Sequence, residues 1–277
     1  MSATPVLSNK ERHILNMSGG KDSTALAVLM KRQFPDLEVE YVFCDTLKEL
    51  KETYEYLNRI EAYLGKKIVR LNDQGGFDHW HKVFNGYLPS PQMRWCTKML
   101  KLKPFEAYVG EDRVVSYVGI RADEDRVGYI STKPNIRAVF PLRDAGIDYE
   151  GVVRLLEESG LGLPPYTKWG RTHSGCFFCF FQRPIEWVRL YENHPDQFEE
   201  AMAYEKISDE AGKTFTWVQG MPLSELKKPE VMAAIRARNE ERQMRLHKSR
   251  PDKKLVETLG GQVEEFEESQ ACLICQK

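Results

Sequence analysis

Apolar positions along the chain switch repeatedly between strand-like runs and helical spacing. Residues 13–17 (His-Ile-Leu-Asn-Met) form a run of strand length, broken by Ser18-Gly19-Gly20. From Asp22 to Phe34, Leu26, Ala27, Leu29 and Met30 recur at helical spacing, and Pro35-Asp36 ends the helix they predict. Glu38 to Cys44 alternates and then runs apolar, predicting a second strand that ends at Asp45-Thr46. Tyr54, Leu57, Ile60 and Leu64 share one face of a helix predicted over about 49–64, and Lys67 to Leu71 reads as a third strand. Val114 to Ile120 is a further strand, leading into Gly119-Ile120-Arg121. Strands alternating with helices at this spacing predict right-handed crossovers and a parallel sheet in an α/β fold. In such sheets ligands collect at the carboxyl ends of the strands, where Ser18, Asp45 and Arg121 all fall.

Beyond about residue 160 the texture changes. A Gly/Pro-rich stretch from Gly160 to Gly175 gives way to a cysteine pair and to aromatic helices around Trp187 to Tyr204. A charged stretch follows from Ile235 to Lys254, then an acidic segment from Glu264 to Glu268. This predicts a mainly helical C-terminal part, divided as residues 1–160 and 161–277.

Composition narrows the classes. The 277 residues can bury a sizeable core, and 42% hydrophobic with 29% charged residues is ordinary for a globular chain. A net charge of -1 gives no bulk attraction for nucleic acid, so such binding needs a local patch. The short polar start, Met1 to Lys10, carries no visible signal peptide, and no apolar run approaches the ~20 residues that span a bilayer. A cytoplasmic setting with no membrane partner is the expectation, and there the six cysteines are better explained by metal or redox chemistry than by disulfides.

Ser18-Gly19-Gly20-Lys21-Asp22-Ser23, between a strand and a helix, has the chemistry of a phosphate cradle. The glycines let backbone N–H groups approach phosphate oxygens, and the helix N-terminus adds partial positive charge. Lys21, expected exposed on the loop, supplies a full charge, Ser18 and Ser23 supply hydroxyls, and Asp22 orients the loop or helps hold Mg2+. A capped helix start is the plainer reading of a lone Gly-Gly; the whole string after an apolar strand favours phosphate.

The string resembles the pyrophosphate loop of the adenine-nucleotide alpha-hydrolase superfamily, which cleaves ATP between its alpha and beta phosphates. Over most of its length the chain resembles the phosphoadenosine phosphosulfate (PAPS) reductase-like proteins of that superfamily. The loop, Cys44-Asp45-Thr46 with Glu52-Thr53-Tyr54, Arg94-Trp95-Cys96, Gly119 to Glu124, and Phe140-Pro141-Leu142 through Gly175-Cys176 to Cys179 carry the match. The resemblance implies a Rossmann-like doubly wound parallel sheet, an ATP-pyrophosphatase domain over 1–160 and a cysteine-bearing helical region over 161–277. It also places Asp45 and Thr46 near the adenosine and Gly119 and Arg121 near the alpha phosphate, with Lys21, Asp22 and Arg121 catalytic. Taken singly, Asp45-Thr46 reads equally as a turn and Arg121 as a surface arginine.

Cys176-Phe-Phe-Cys179 has the spacing that lets two thiolates serve one centre, and Cys272-Leu-Ile-Cys275 repeats it. Phe177, Phe178, Phe180 and Phe181 would keep water from an iron–sulfur cluster, while Cys44 reads as a buried small hydrophobe. Zinc is the competing occupant. By resemblance to cluster-bearing relatives, Cys96, Cys176 and Cys179 hold a 4Fe–4S cluster, with Cys275 or Cys272 as fourth ligand or an open site. The chain departs from cluster-bearing sulfonucleotide reductases in having Cys96-Thr97 for adjacent cysteines, and Ala271-Cys272-Leu273 for the catalytic Glu-Cys-Gly.

Arg236, Arg238, Arg242, Arg245, Lys248, Arg250, Lys253 and Lys254 form a basic run suited either to a phosphate backbone or to a solvated helix laced with ion pairs. An intact loop without Glu-Cys-Gly favours an adenylating enzyme that prepares an acceptor for sulfur, the sulfur coming from a donor such as a cysteine desulfurase. The pattern looks most like the ATP-pyrophosphatase component of DNA phosphorothioation systems, some of them antiphage, with tRNA thiolation as the other nucleic-acid acceptor. A sulfonucleotide reductase and a non-catalytic ATP-binding subunit of a homo-oligomer or larger complex are the alternatives.

Overall fold

The structure is a computed structural model that describes residues 11–125, 133–206 and 214–248. Five parallel strands form one sheet in the order β3-β2-β1-β4-β5: β1 Arg12–Met17, β2 Val39–Cys44, β3 Ile68–Leu71, β4 Val114–Tyr117 and β5 Ile136–Val139. The chain steps outward from β1 to β3, then returns to lay β4 on the free side of β1. Strand order therefore reverses between β1 and β4, which is where an open α/β sheet forms its ligand crevice. The loops after β1 and β4 are the two that carry Lys21 and Arg121.

Alternating side chains cover both faces of the sheet. Leu15, Met17, Tyr41, Phe43, Val115 and Tyr117 pack with α1 (Lys21–Gln33), α2 (Lys51–Leu64) and α7 (Tyr149–Glu158). Ile14, Val42, Cys44 and Val114 pack on the other face against Phe105 and Val109 of α5 (Lys103–Val109). Burial on both sides explains why these strands read as continuous apolar runs. Cys44 lies in this second layer, as expected of a small buried hydrophobe. The fourth strand is shorter than its apolar run predicts. Val118 N–H still donates to Val139, but Ile120 N–H turns back to the Val118 carbonyl, and that tight bend ends the strand before Gly119.

A third core is aromatic and helical. It gathers Phe77 from α3 (Gly76–Val83), Trp95 from α4 (Trp95–Thr97), Trp187 from α8 (Pro184–Asn193) and Phe198 from α9 (Pro195–Ala203). Phe177, Phe178, Trp217, Leu223 of α10 (Leu223–Leu226) and Ile235 of α11 (Pro229–Lys248) complete it. A π-helical stretch, Lys98–Leu102, joins α4 to α5, and α6 (Pro141–Asp144) follows β5. This core draws on residues both before and after 160. Among the described residues, no helix is long and apolar enough to cross a membrane.

At the opposite end of the sheet from the crevice, Arg12 joins Glu40 at 2.7 Å and Asp112 at 2.9 Å, and Tyr108 donates to Glu40 at 2.6 Å. The hydrogen bond from Arg12 holds the Glu40 carboxyl below the usual range despite partial burial. A lowered folded-state value contributes stability that is fully present above the unfolded glutamate value of about 4.3 and is lost as pH falls through the folded value. Glu40→Gln should therefore lower the melting temperature at neutral pH and flatten its decline below about pH 4. An unchanged acid limb in thermal melts from neutral pH downward would refute this role for the pair.

Candidate active site

The Ser18–Ser23 segment folds as a compact loop at the start of α1. Ser18 and Ser23 hydroxyls stand 3.1 Å apart, and Gly20 N–H donates to Ser18 Oγ at 3.3 Å. Gly19 has φ +69°, and a Cβ there would lie 2.9 Å from Thr53 Cγ2, so both the backbone and α2 require glycine. Thr24 Oγ1 and Ser23 Oγ both donate to the Gly20 carbonyl, at 2.7 and 3.2 Å.

Lys21 is not exposed, contrary to its expected place on an open loop; only 3% of it is accessible. Helix α1 begins at this residue, so the lysine turns inward under the segment that precedes Cys176. Its Nζ donates to the Thr172 carbonyl at 3.3 Å and lies 3.6 Å from Asp22. Its backbone N–H donates to Tyr166 Oη at 3.3 Å. Tyr166 belongs to the 3-10 turn Pro165–Trp169.

Arg121 is also buried, which corrects the reading of it as a surface arginine. Its guanidinium reaches Asp22 at 3.0 Å, Asp123 at 2.9 Å and Glu124 at 3.3 Å, and it lies 5.6 Å from the centre of the Tyr149 ring. Gly119 sits buried in the bend before it. Among the described residues, Lys21 and Arg121 thus share the crevice with Asp22, Asp123 and Glu124.

At the end of β2, Asp45 accepts from Leu47 N–H at 2.8 Å and from Tyr54 at 2.7 Å. Leu47, a non-glycine residue with φ +61°, holds its side chain out to solvent. Thr46 Oγ1 stands 3.2 Å from Glu49 Oε1 and 3.1 Å from Cys176 Sγ. Burial raises the Glu49 carboxyl above its usual range, and burial, reinforced by Glu49, raises the Cys176 thiol well above its own.

Cys96, Cys176 and Cys179 line one cavity, together with Thr46, Lys101, His173, Ser174 and Phe178, Phe180 and Phe181. The cysteine turn is fixed by Cys179 N–H to Cys176 O at 3.0 Å, Gln182 to Phe177 O at 2.8 Å and Arg171 to Cys176 O at 2.7 Å. Among the described residues, no three of His, Cys, Asp and Glu converge closely enough to hold a single metal ion. Zinc asks that its thiolates all lie about 2.3 Å from one point. A four-iron cluster asks something different, since each thiolate serves its own iron and the ligands stand around the pocket wall. Three thiols lining one aromatic-walled cavity fit that demand in donor chemistry. Cys272 and Cys275 lie outside the described residues.

The loop and the cysteine cavity adjoin. A Cβ on Gly20 would lie 2.7 Å from Ser174 Oγ, and Phe177 N–H donates to the Lys48 carbonyl at 2.9 Å. Sequence reasoning singled out Glu124 only within the Gly119–Glu124 match, and missed Glu49, Tyr149, Tyr166 and the run Arg171-Thr172-His173-Ser174 around the loop and the cavity. The run immediately before Cys176 was the available signal, since a polar string between Gly170 and Gly175 would be costly to bury without a role. Fully buried Glu186 holds it by accepting from Thr172 N–H and Oγ1, both at 2.8 Å. The basic run is engaged in part with acids: Arg236 pairs with Glu192, and Arg245 lies 3.9 Å from Glu241. Residues 249–254 of that run lie outside the described residues.

The sequence matches the family model of the phosphoadenosine phosphosulfate reductase domain over residues 12–179. An uncharacterized protein of Methanocaldococcus jannaschii is 30% identical over 204 residues, which cover 69% of this chain and 40% of that protein. The chain thus spans only about two fifths of that relative. The tRNA-specific 2-thiouridylase of Streptococcus uberis is 32% identical over 143 residues, 43% of this chain and 36% of the enzyme. The solved U34-tRNA thiolase of Methanococcus maripaludis, with its [4Fe-4S] cluster, superposes with a TM-score of 0.42 at 15% identity, covering 73% of this chain and 74% of that one. The family model spans the whole sheet, the Ser18–Ser23 loop, Arg121 and the three cavity cysteines, and the chain belongs to the phosphoadenosine phosphosulfate reductase domain family.

Proposed function

We propose that the protein is an ATP pyrophosphatase that adenylates a nucleic-acid acceptor for sulfur incorporation, releasing AMP when sulfur displaces it. The observation that carries the reading is the contiguity of the two sites. The phosphate loop meets the cysteine segment at Gly20 and Ser174, and Thr46 at the strand end touches Cys176. An activated acceptor formed over the loop would lie beside the thiol-lined cavity without crossing the protein.

The crevice charge suggests what accompanies the nucleotide. Lys21 and Arg121 already face Asp22, Asp123 and Glu124, so a triphosphate alone would have to compete with these carboxylates for the two cations. A Mg2+ ion brought by the nucleotide would offset part of the phosphate charge, and Asp22, carried by the loop itself, would hold it with the phosphates. Lys21 and Arg121 would then stabilise charge on the departing pyrophosphate and on the alpha phosphate. A 4Fe–4S cluster held by Cys96, Cys176 and Cys179 would supply thiophilic chemistry at the cavity, with Cys275 or Cys272 as fourth ligand or with one iron open. A DNA backbone phosphate, as in phosphorothioation, is the first acceptor to test and a tRNA base the second. The basic run of α11 and a cysteine desulfurase are the proposed contacts with acceptor and sulfur source.

Product analysis tests this directly. Incubation with labelled ATP, Mg2+, DNA or tRNA and a sulfide source should yield pyrophosphate on adenylation and AMP as sulfur displaces it; ADP and phosphate would overturn the alpha–beta cleavage. The sulfonucleotide-reductase reading draws on the family's description, but Ala271-Cys272-Leu273 stands where those enzymes carry Glu-Cys-Gly. We therefore expect no sulfite from adenosine phosphosulfate, or from its 3'-phosphorylated form, with thioredoxin as reductant. Sustained sulfite release would promote the reductase reading above ours.

A further inference from the structure

Thr46 occupies a singular place between the two halves of the site. It follows β2 directly, on the strand-end side where the crevice opens, and its hydroxyl is the side-chain contact with Cys176 at 3.1 Å. The same oxygen stands 3.2 Å from the buried Glu49 carboxyl and accepts from Lys48 N–H at 3.4 Å. The next residue, Leu47, is held at φ +61° by Asp45, whose carboxylate accepts its N–H. For a branched side chain that conformation is strained, so the turn persists only while its surroundings enforce it. On the far side, Lys48 O accepts from Phe177 N–H, so movement of the turn bears on the cysteine segment through backbone as well as side chain.

We infer that Thr46 is a positioning residue through which occupancy of the nucleotide site is coupled to Cys176. The inference rests on the proposed ATP reading and adds a specific wire to it. A nucleotide seated at the ends of β1 and β2 meets the Asp45–Leu47 turn first. Any shift it imposes there changes the Thr46–Cys176 hydrogen bond, because one oxygen serves Glu49, Lys48 and Cys176 together. Coupling between binding equilibria is reciprocal, so a ligand held at Cys176 and the nucleotide would alter each other's affinity by the same factor. Functionally, the cysteine cavity would respond to whether the acceptor-activating nucleotide is in place.

A double-mutant cycle on the full chain tests it, with affinity for a non-hydrolysable ATP analogue and Mg2+ measured by calorimetry. Cys176→Ala should change the analogue's affinity about 5-fold or more in the unsubstituted protein, the lower end of typical coupling. In the Thr46→Val background, where shape is kept and the hydroxyl lost, the same substitution should change it less than about 2-fold. Thr46→Ser, which restores the hydroxyl, should restore the Cys176 effect, an outcome that a purely space-filling role would not produce. An additive cycle, with Cys176→Ala acting equally in both backgrounds, would overturn the inference and leave the ATP reading standing. Failure of the unsubstituted protein to bind the analogue would overturn both.

Discussion

Replacing Lys21 with methionine should reduce pyrophosphate release about 100- to 1000-fold, the loss expected when one charge-stabilising contact to a transition state is removed. Methionine keeps most of the lysine's length and volume, which matters because Lys21 is buried beneath Thr172 and could not be truncated without leaving a hole. The local ion network limits the folding cost. Asp22 keeps Arg121 at 3.0 Å when Lys21 is lost, so no carboxylate is left buried without a cation. The expected signature is therefore a large fall in turnover with a small fall in melting temperature. The substitution also makes the crevice more negative by one charge, which favours a divalent cation, so the Mg2+ concentration for half-maximal activity should shift downward. A variant that folds normally and releases pyrophosphate at the original rate would remove Lys21 from the chemistry and with it the reading of the loop.

What the sequence made legible was local, and what it hid was tertiary. Strand, Gly-Gly turn and helix start are written into residues 12–24, because each depends only on near neighbours and on the apolar period. The gathering of Ser18, Asp45 and Arg121 at strand ends followed from the parallel topology, which alternating elements predict. The burial of Lys21 was not legible, since it depends on chain more than 100 residues away folding back through Tyr149, Tyr166 and Thr172, and that of Arg121 depends on its meeting Asp22 of the first helix and Tyr149. Spacing within Cys176-Phe-Phe-Cys179 says that two thiols are neighbours; that Cys96 lines the same cavity depends on the π-helical turn after α4 and on the packing of Trp95 and Phe178 around Phe77. The end of β4 was misjudged for a similar reason. Val118 to Ile120 is apolar because it is buried, and burial alone does not distinguish a strand from a bend that turns Arg121 into the crevice.

Anaerobically purified protein should be brown and carry iron with inorganic sulfide, and Cys176→Ser should abolish the colour whereas Cys44→Ser should not. The contrast between the two cysteines is structural. Cys44 is buried in the apolar layer against Ile14 and Phe105, with its thiol near the Lys101 carbonyl, while the half-buried Cys176 faces the cavity shared with Cys96 and Cys179. A serine at Cys44 would therefore cost some stability through a buried hydroxyl without touching the metal, and a serine at Cys176 removes a ligand. Cys96→Ser and Cys179→Ser should act as Cys176→Ser does, and substituting Cys272 and Cys275 one at a time should identify the fourth ligand as the one that alters the cluster's electron paramagnetic resonance signal. An unchanged signal in both would favour an iron left open to an external sulfur. The competing metal makes an opposite demand, because zinc needs its thiolates about 2.3 Å from a single point. A colourless anaerobic protein with one equivalent of tightly bound zinc, lost on Cys176→Ser, would sink the cluster assignment and turn the three thiols into structural ligands.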